Sequence, residues 1–482
     1  MTGLVTLLGA GPGDQELITV KGARRLKEAD VLVYDRLINQ DLFKYLKPDC
    51  ETIDVGKQSG MPCVRQDEIE AILIEKAREG KAVVRLKSGD PYIFGRGGEE
   101  ALSLVEAGID FEVVPGVSSA VAGLTYAGIP MTFRDVATSF HVFTGHLKDE
   151  TEQLNWEAIA QLKGTLVFLM GMKNLATITS ELSSRGFASE TPVAVIEWAT
   201  HPQQRSIDGT LSTITELVAE HGLTAPSIIV IGDVVSFRQQ LNFHEHLPLS
   251  GRQILIQASP TGKLPRLLKD DGANLVTFPG RNKVNPFPFK LPDVTTLDGL
   301  LVADWQSWLL FLEALKATGQ DLRALGHVKV VAVGQHTSKA MGESGLILYA
   351  KGAHIHGEDL VETLANETGN WYILAPDYKQ KAVRRFYELP VLVTHTVDFD
   401  DDLPDLSEVE LEAICLPNSL AATNFVAMAE ELEVKLNHLP IIVMGETTRA
   451  VIEQAGYTEI IETDKPTIAA IRDKCRQLLT EE

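Results

Sequence analysis

Short apolar runs alternate with helix-period segments along most of the 482-residue chain. Val5–Leu8, Val31–Tyr34, Ala82–Leu86 and Phe111–Val114 are apolar almost throughout, so they read as strands buried on both faces. Between them, "QDEIEAILIEKAREG" (66–80) and "GEEALSLVEAG" (98–108) carry the spacing of amphipathic helices. That alternation predicts a mainly parallel sheet with helices on both faces. A second set follows at 140–145, 165–172, 192–199 and 226–235, which makes two α/β lobes of the first 245 residues. "NFHEHLPLSG" (242–251) breaks the pattern and reads as a linker. A new strand set starts at "RQILIQAS".

The second half carries an internal echo. Gly334, Thr337 and Gly345 recur as Gly445, Thr448 and Gly456. Each triplet reads as a strand, a glycine turn, a capping threonine, a helix and a closing glycine. The spacing suggests two similar lobes rather than a solenoid. The acidic stretch 398–412 reads as a solvated loop.

Composition narrows the function classes. A formal charge of −22 argues against a nucleic acid or an anionic membrane held by bulk charge. Four cysteines without CxxC spacing indicate reduced thiols rather than a zinc knuckle. No apolar run approaches the roughly 20 residues that span a bilayer, and no signal-type segment opens the chain. The expectation is a cytoplasmic protein without metal. His354 and His356, or His244 and His246, lack further ligands at metal spacing.

Two glycine-rich loops remain. "GAGPGD" (9–14) ends the first strand, and "RLKSGDPYIFGRGGEE" (85–100) ends the third. The first resembles a dinucleotide turn, but Asp14 stands where the third glycine belongs and Pro12 removes a donor. Neither loop carries a phosphate-cradling lysine, and both carry an acid, Asp14 and Asp90. That favours a ligand with hydroxyls, amines or positive charge over a polyphosphate. A nicotinamide-dependent oxidoreductase is the weaker reading of the same loop.

"GAGPGD", "ADVLVYDRL", "VGKQSG", "RLKSGDPYIFGRGGEE", "VVPGVSSA", "AGIPMTFRD" and "TGH" occur in order over residues 9–146. Together they closely resemble the uroporphyrinogen-III C-methyltransferases of the tetrapyrrole methylase family. The resemblance covers about 1–245, with lobes at about 1–114 and 115–245. It implies transfer of two methyl groups from S-adenosylmethionine to uroporphyrinogen III, giving precorrin-2, in a homodimer. It places the donor, which has no phosphate, against Pro12, Ser88, Gly89, Asp90, Ile93, Ser118, Ser119, Met170 and Ala199. It assigns acid–base work to Asp35 and Lys57. Ser88 replaces a usual glycine, and Phe133 a common histidine. An octa-carboxylate substrate calls for cations, and Arg36, Arg65, Arg85, Arg96 and Arg134 are the candidates.

After a linker at 246–252, residues 253–482 resemble uroporphyrinogen-III synthase, with one lobe (282–396) inserted in the other (253–281 plus 397–482). The resemblance implies closure of hydroxymethylbilane to uroporphyrinogen III. Thr337, Ser419 and Thr448 are the candidate substrate contacts. Gln257 and Ala258, Ala303–Asp304, Leu416–Pro417 and His395 depart from that family's pattern. A second reading makes this half a non-catalytic binding module on an active methyltransferase.

Overall fold

The computed structural model describes residues 2–56, 64–145, 154–259, 262–343, 345–354, 357–400, 402–407 and 409–480. Five strands open the chain: β1 (Val5–Gly9), β2 (Val31–Tyr34), β3 (Glu51–Asp54), β4 (Val83–Lys87) and β5 (Phe111–Val114). They pair in parallel in the order β3-β2-β4-β1-β5. Helices α1 (Val20–Glu28), α2 (Gln66–Arg78) and α3 (Gly97–Glu106) provide crossovers. Val5, Leu7, Val31 and Val33 pack on one face, and Leu8, Leu32, Val84 and Leu86 on the other. Burial on both faces explains why β1 and β2 read as apolar runs, while the edge strand β3, Glu51–Asp54, is polar and gives no such signal in the sequence. α1 starts where Thr19 accepts the amide of Gly22 at 3.1 Å, and α2 where Glu68 accepts that of Arg65 at 2.9 Å.

The second sheet differs from the expectation. Its strands β6 (Phe140–Thr144), β7 (Thr165–Leu169), β8 (Pro192–Glu197), β9 (Arg205–Thr210) and β10 (Ser227–Ile231) lie in the order β6-β7-β10-β8-β9. Only β6 and β7 pair in parallel; β10 runs against both β7 and β8, and β8 against β9. Helix α4 (Ser119–Tyr126) starts beyond the carboxyl end of β5 but packs its Ala120 and Leu124 on this second sheet.

The second half holds β11 (Gln253–Gln257), β12 (Asn274–Phe278), β13 (Arg281–Pro286), β14 (Gly299–Val302), β15 (Lys329–Ala332), β16 (Ala350–Lys351), β17 (Trp371–Ala375), β18 (Val391–Val393), β19 (His395–Phe399), β20 (Ala413–Leu416), β21 (Ile441–Val443) and β22 (Ile460–Glu462). One parallel sheet, β12-β11-β20-β21-β22, takes its strands from both ends of this half. A second parallel sheet, β16-β15-β14-β17-β18, comes from the middle, and the antiparallel ribbon β13-β19 runs between them in sequence.

Two stretches are more ordered than their composition suggests. In 242–251, Glu245 accepts from Gln204 at 2.9 Å, Arg238 at 2.8 Å and Asn242 at 3.1 Å. Leu249, fully buried, joins the core beneath β11. In the acidic stretch, Leu403, Leu406 and Leu411 pack against the core of the β11–β22 sheet. Glu412 accepts from the amide of Gln253 at 3.0 Å and from Arg252 at 2.7 Å. The apolar residues, spaced among acids, anchor what charge alone would leave solvated.

Candidate functional site

In the first sheet, β1 connects toward β2 on one side, whereas β5 follows β4 on the far side of β1. The connections leaving the parallel neighbours β1 and β4 therefore run in opposite directions across the sheet, and the loops after these two strands lie at the carboxyl edge where ligands of such sheets bind. The two glycine-rich loops lie there. They are zipped together: the amide of Gly89 donates to Gly11 O at 2.7 Å, and that of Gly11 to Gly89 O at 3.3 Å. The loop after β5 closes on both. A Cβ on Gly116 would lie 2.1 Å from Gly89 O, and one on Gly9 would lie 2.5 Å from the amide of Gly116. Only glycine allows three strand ends to meet this closely.

Both loop acids are consumed by the protein. Asp90 accepts the amides of Tyr92 at 2.9 Å and Gly116 at 3.1 Å. Asp14 accepts the amide of Glu16 at 2.9 Å and the hydroxyl of Tyr126 at 2.7 Å. The oxygens of both acids brace the protein itself, so they are not by themselves the reason to expect a ligand with hydroxyls, amines or positive charge. Asp14 also ties the lobes together, as its own amide donates to Thr200 Oγ1 at 3.1 Å. Gly13 sits so close that a Cβ there would be 2.3 Å from the ring of His201.

Around this junction stand the other residues expected at the donor. Pro12 and Ala199 are buried, Ser88 and Ser119 are half-buried, and Ser118 is buried, where it caps α4 through the amide of Ala120 at 3.3 Å. Ile93 and Met170 are 44% and 53% exposed, unusually open for apolar side chains beside a crevice. Met170, Trp198 and Thr200, at the carboxyl ends of β7 and β8, hold positive φ angles of 56°, 48° and 68°. Non-glycine residues pay to adopt that backbone, and such strain gathers at functional sites.

Asp35 follows β2 with its side chain one-third exposed. Its Oδ1 accepts from Arg85 Nη2 at 2.7 Å. Arg85 is 2% exposed, which removes it from the cations available to a substrate carboxylate. It is occupied by Asp35 and by Glu100, 3.1 Å from Nε. Arg65 and Arg96 are exposed and pair with Asp67 and Glu99 in the first turns of α2 and α3. Arg36 and Arg134 are exposed. Lys57 lies outside the described residues. Lys87, Glu100, Tyr126 and Thr200 were not anticipated. The signal for the first two was present, since charges at 85 and 87 in a central strand require a buried counter-charge.

In the second half, Thr337 and Thr448 are 4% and 3% exposed. Each is the third residue of its helix, Gln335–Glu343 and Glu446–Gln454, so neither is the capping residue expected. Their side chains are buried, and Ser419 is the exposed one of the three. Two of the departures from the family pattern, Ala303–Asp304 and His395, lie together. Asp304, after β14, caps the helix Trp305–Ala317 through the amide of Ser307 at 3.1 Å. His395, 1% exposed, lies across from it, and Lys379 donates to Ala303 O at 2.9 Å.

No group of three or more His, Cys, Asp or Glu suited to a metal ion occurs among the described residues. Among them, no helix is long and apolar enough to cross a membrane. Residues 4–215 match the Tetrapyrrole (Corrin/Porphyrin) Methylases, and 264–472 match Uroporphyrinogen-III synthase HemD. The chain is 36% identical over 479 residues to a uroporphyrinogen-III C-methyltransferase of Bacillus subtilis, covering 96% of this chain and 95% of that one. It is 34% identical over 498 residues to a porphyrin biosynthesis protein HemD of Ruminiclostridium josui, covering 99% and 98%. A solved uroporphyrin-III C-methyl transferase of Thermus thermophilus, complexed with S-adenyl homocysteine, is 38% identical with a TM-score of 0.43; it covers 48% of this chain and 99% of its own. The chain is an enzyme of tetrapyrrole biosynthesis and belongs to the uroporphyrinogen-III C-methyltransferases of the tetrapyrrole methylase family, with a HemD-type synthase domain as its second half.

Proposed function

We propose that the first half, about 1–245, transfers two methyl groups from S-adenosylmethionine to uroporphyrinogen III, giving precorrin-2. The second half, about 253–482 with the lobe 282–396 inserted, supplies that substrate by closing hydroxymethylbilane. The observation that carries the methyl-transfer reading is the meeting of Gly9, Gly89 and Gly116 at the sheet's switch point. It leaves a crevice walled by backbone and hydroxyls, and Lys87, the lysine at the start of the second loop, is buried against Glu100 rather than free to hold a phosphate. The residues present fit a phosphate-free donor: Ser88, Gly89, Asp90, Ser118 and Ser119 offer polar backbone. Pro12, Ile93, Met170 and Ala199 offer apolar surface.

The donor, when bound, supplies an electrophilic methyl group. The protein does the rest. The crevice holds a pyrrole carbon in line with that methyl. Once methylated, the macrocycle is cationic and loses an N–H proton. Asp35, partly exposed and oriented by Arg85, stabilises that cation or takes the proton. Lys57 would bind a substrate carboxylate or return a proton. The enzyme is proposed to work as a homodimer in the cytoplasm, without metal.

The burial of Thr337 and Thr448 favours a second reading, in which the HemD-type half binds a tetrapyrrole without closing it. One experiment separates the two. The full chain is given hydroxymethylbilane without a methyl donor, and the oxidised uroporphyrin isomers are separated. The type III isomer supports closure; the type I isomer alone leaves the binding-module reading. Adding uroporphyrinogen III and S-adenosylmethionine should then yield a product heavier by two methyl groups. An unmethylated product would end the methyltransferase reading.

A further inference from the structure

Strand β4 is flanked on both sides in its sheet, yet it carries Arg85 and Lys87. Two residues apart on a strand, they leave the same face. Both are buried, at 2% and 4% exposed. Their common partner comes from α3: Glu100, 0% exposed, accepts on Oε1 from Arg85 Nε at 3.1 Å and from Lys87 Nζ at 2.9 Å. Arg85 Nη2 then reaches Asp35 Oδ1 at 2.7 Å. The four side chains form a row of alternating charge, Asp35–Arg85–Glu100–Lys87.

Stability does not account for such a row. Desolvating buried ion pairs often costs more than their attraction returns, and apolar side chains would fill this face of the sheet. Oε2 of Glu100 is buried without a hydrogen-bond partner among the described residues, which adds to the cost. Burial pushes the Lys87 ammonium down, and Arg85 beside it pushes the same way. What the row does achieve is geometry. A guanidinium gripped at Nε by a buried carboxylate cannot swing, so its Nη2 presents one fixed donor to the end of β2. Of the four, only Asp35 reaches appreciably into solvent, at 33%.

We infer that Glu100 is a positioning residue for methyl transfer. It holds Arg85 and Lys87, and through Arg85 it aims the Asp35 carboxylate at the macrocycle. Fully buried, it touches no substrate. The inference rests on the reading of Asp35 given above. It gives the "GRGGEE" segment a task beyond starting a helix.

The test is a double-mutant cycle in the full chain, with uroporphyrinogen III and S-adenosylmethionine as substrates. Glu100→Gln keeps size and an acceptor but removes the charge. It should lower kcat about tenfold, leave the donor's Kd by calorimetry unchanged, and cost little more once Asp35→Asn is present. A kcat loss of equal factor in both backgrounds, or a matching loss of donor affinity, means Glu100 only packs and overturns the inference. Wild-type methylation by Asp35→Asn alone would instead overturn the reading of Asp35, and the inference with it. If Glu100→Gln does not fold, Lys87→Met with Glu100→Gln removes one charge of each sign. That protein should fold and remain impaired, and a wild-type kcat in it would likewise overturn the inference.

Discussion

Nε2 of His395 stands 3.8 Å from Oδ2 of Asp304. The two follow β18 and β14, whose carboxyl ends share one edge of the sheet. The other ring nitrogen, Nδ1, is 2.9 Å from Thr394 Oγ1, which donates to Ser307 Oγ at 2.9 Å. Burial lowers the pKa of His395, and Lys379 adds to this, while Asp304 opposes it. Asp304→Ser keeps an oxygen to cap the following helix but removes the charge. It should therefore drop the His395 pKa further, read from the imidazole proton shift against pH. Asp304→Ala should do the same and also cost about 1 kcal/mol through the lost cap. A rise in the His395 pKa in either variant would contradict this account.

Glu112 on β5 fastens α1 to the sheet. It accepts from Thr6 at 3.1 Å, from Lys21 at 2.7 Å and from Arg25. Burial works to raise its pKa, but these three bonds outweigh it and hold the carboxyl down to about 2. A depressed acid stabilises the fold above its unfolded value and loses that contribution as pH falls toward the folded one. Glu112→Gln should accordingly cost about 2 kcal/mol at neutral pH. The difference from wild type should shrink between pH 4.5 and about 2. Melting curves across that range would show it, and a pH-independent difference would refute it.

Two glycines in one region should respond in opposite ways. Gly116→Ala drives a Cβ into Gly89 O, backbone against backbone. It should abolish donor binding and cost several kcal/mol, about 3 or more. Gly98→Ala, in the first turn of α3, meets nothing within 4 Å and should be neutral or stabilising by up to about 1 kcal/mol. Calorimetry and thermal melts on the two variants test both halves of the statement.

The lobe junction should be acid-sensitive. Burial lowers the pKa of His201 and His244, which flank the Tyr126–Asp14 hydrogen bond. Histidines held neutral contribute stability above their ordinary value of 6.5 and lose it as pH falls through the lowered one. Tyr126→Phe removes the donor to a carboxylate and should cost about 1.5–3 kcal/mol. His244→Gln should flatten the loss of stability below pH 6.5. An unchanged acid limb in that variant would place the sensitivity elsewhere.

The strands at 5 and 31 were legible because burial on both faces writes an apolar run into the sequence, and those at 83 and 111 because the charges at Arg85, Lys87 and Glu112 only interrupt otherwise apolar runs. Strand direction in the second sheet was not, since pairing between β10 and β8 is set by contacts far apart in sequence. The glycine loops were legible as a site, but the task of their acids was not. Composition shows that Asp14 and Asp90 are present; it does not show that amides and a tyrosine hydroxyl take up their oxygens. Arg85 misled for the same reason. An arginine beside a candidate site reads as a substrate cation until its burial is known. Thr337 and Thr448 matched each other because both lie in well-packed first turns, a structural cause that a repeated motif does not distinguish from a binding one.

The stretch between the two halves has a practical consequence. Asn242 lies against Gly128, where a Cβ would meet its amide at 2.3 Å, Glu245 is bonded into the β8–β9 region, and Leu249 fills the core under β11. Within these ten residues, Asn242 and Glu245 are owed to the first half and Leu249 to the second. Cutting before them strips the synthase half of a core leucine, and cutting after them leaves the methylase half trailing an exposed one. The boundary is a shared wall, and each half expressed alone should be sought with the wall still attached.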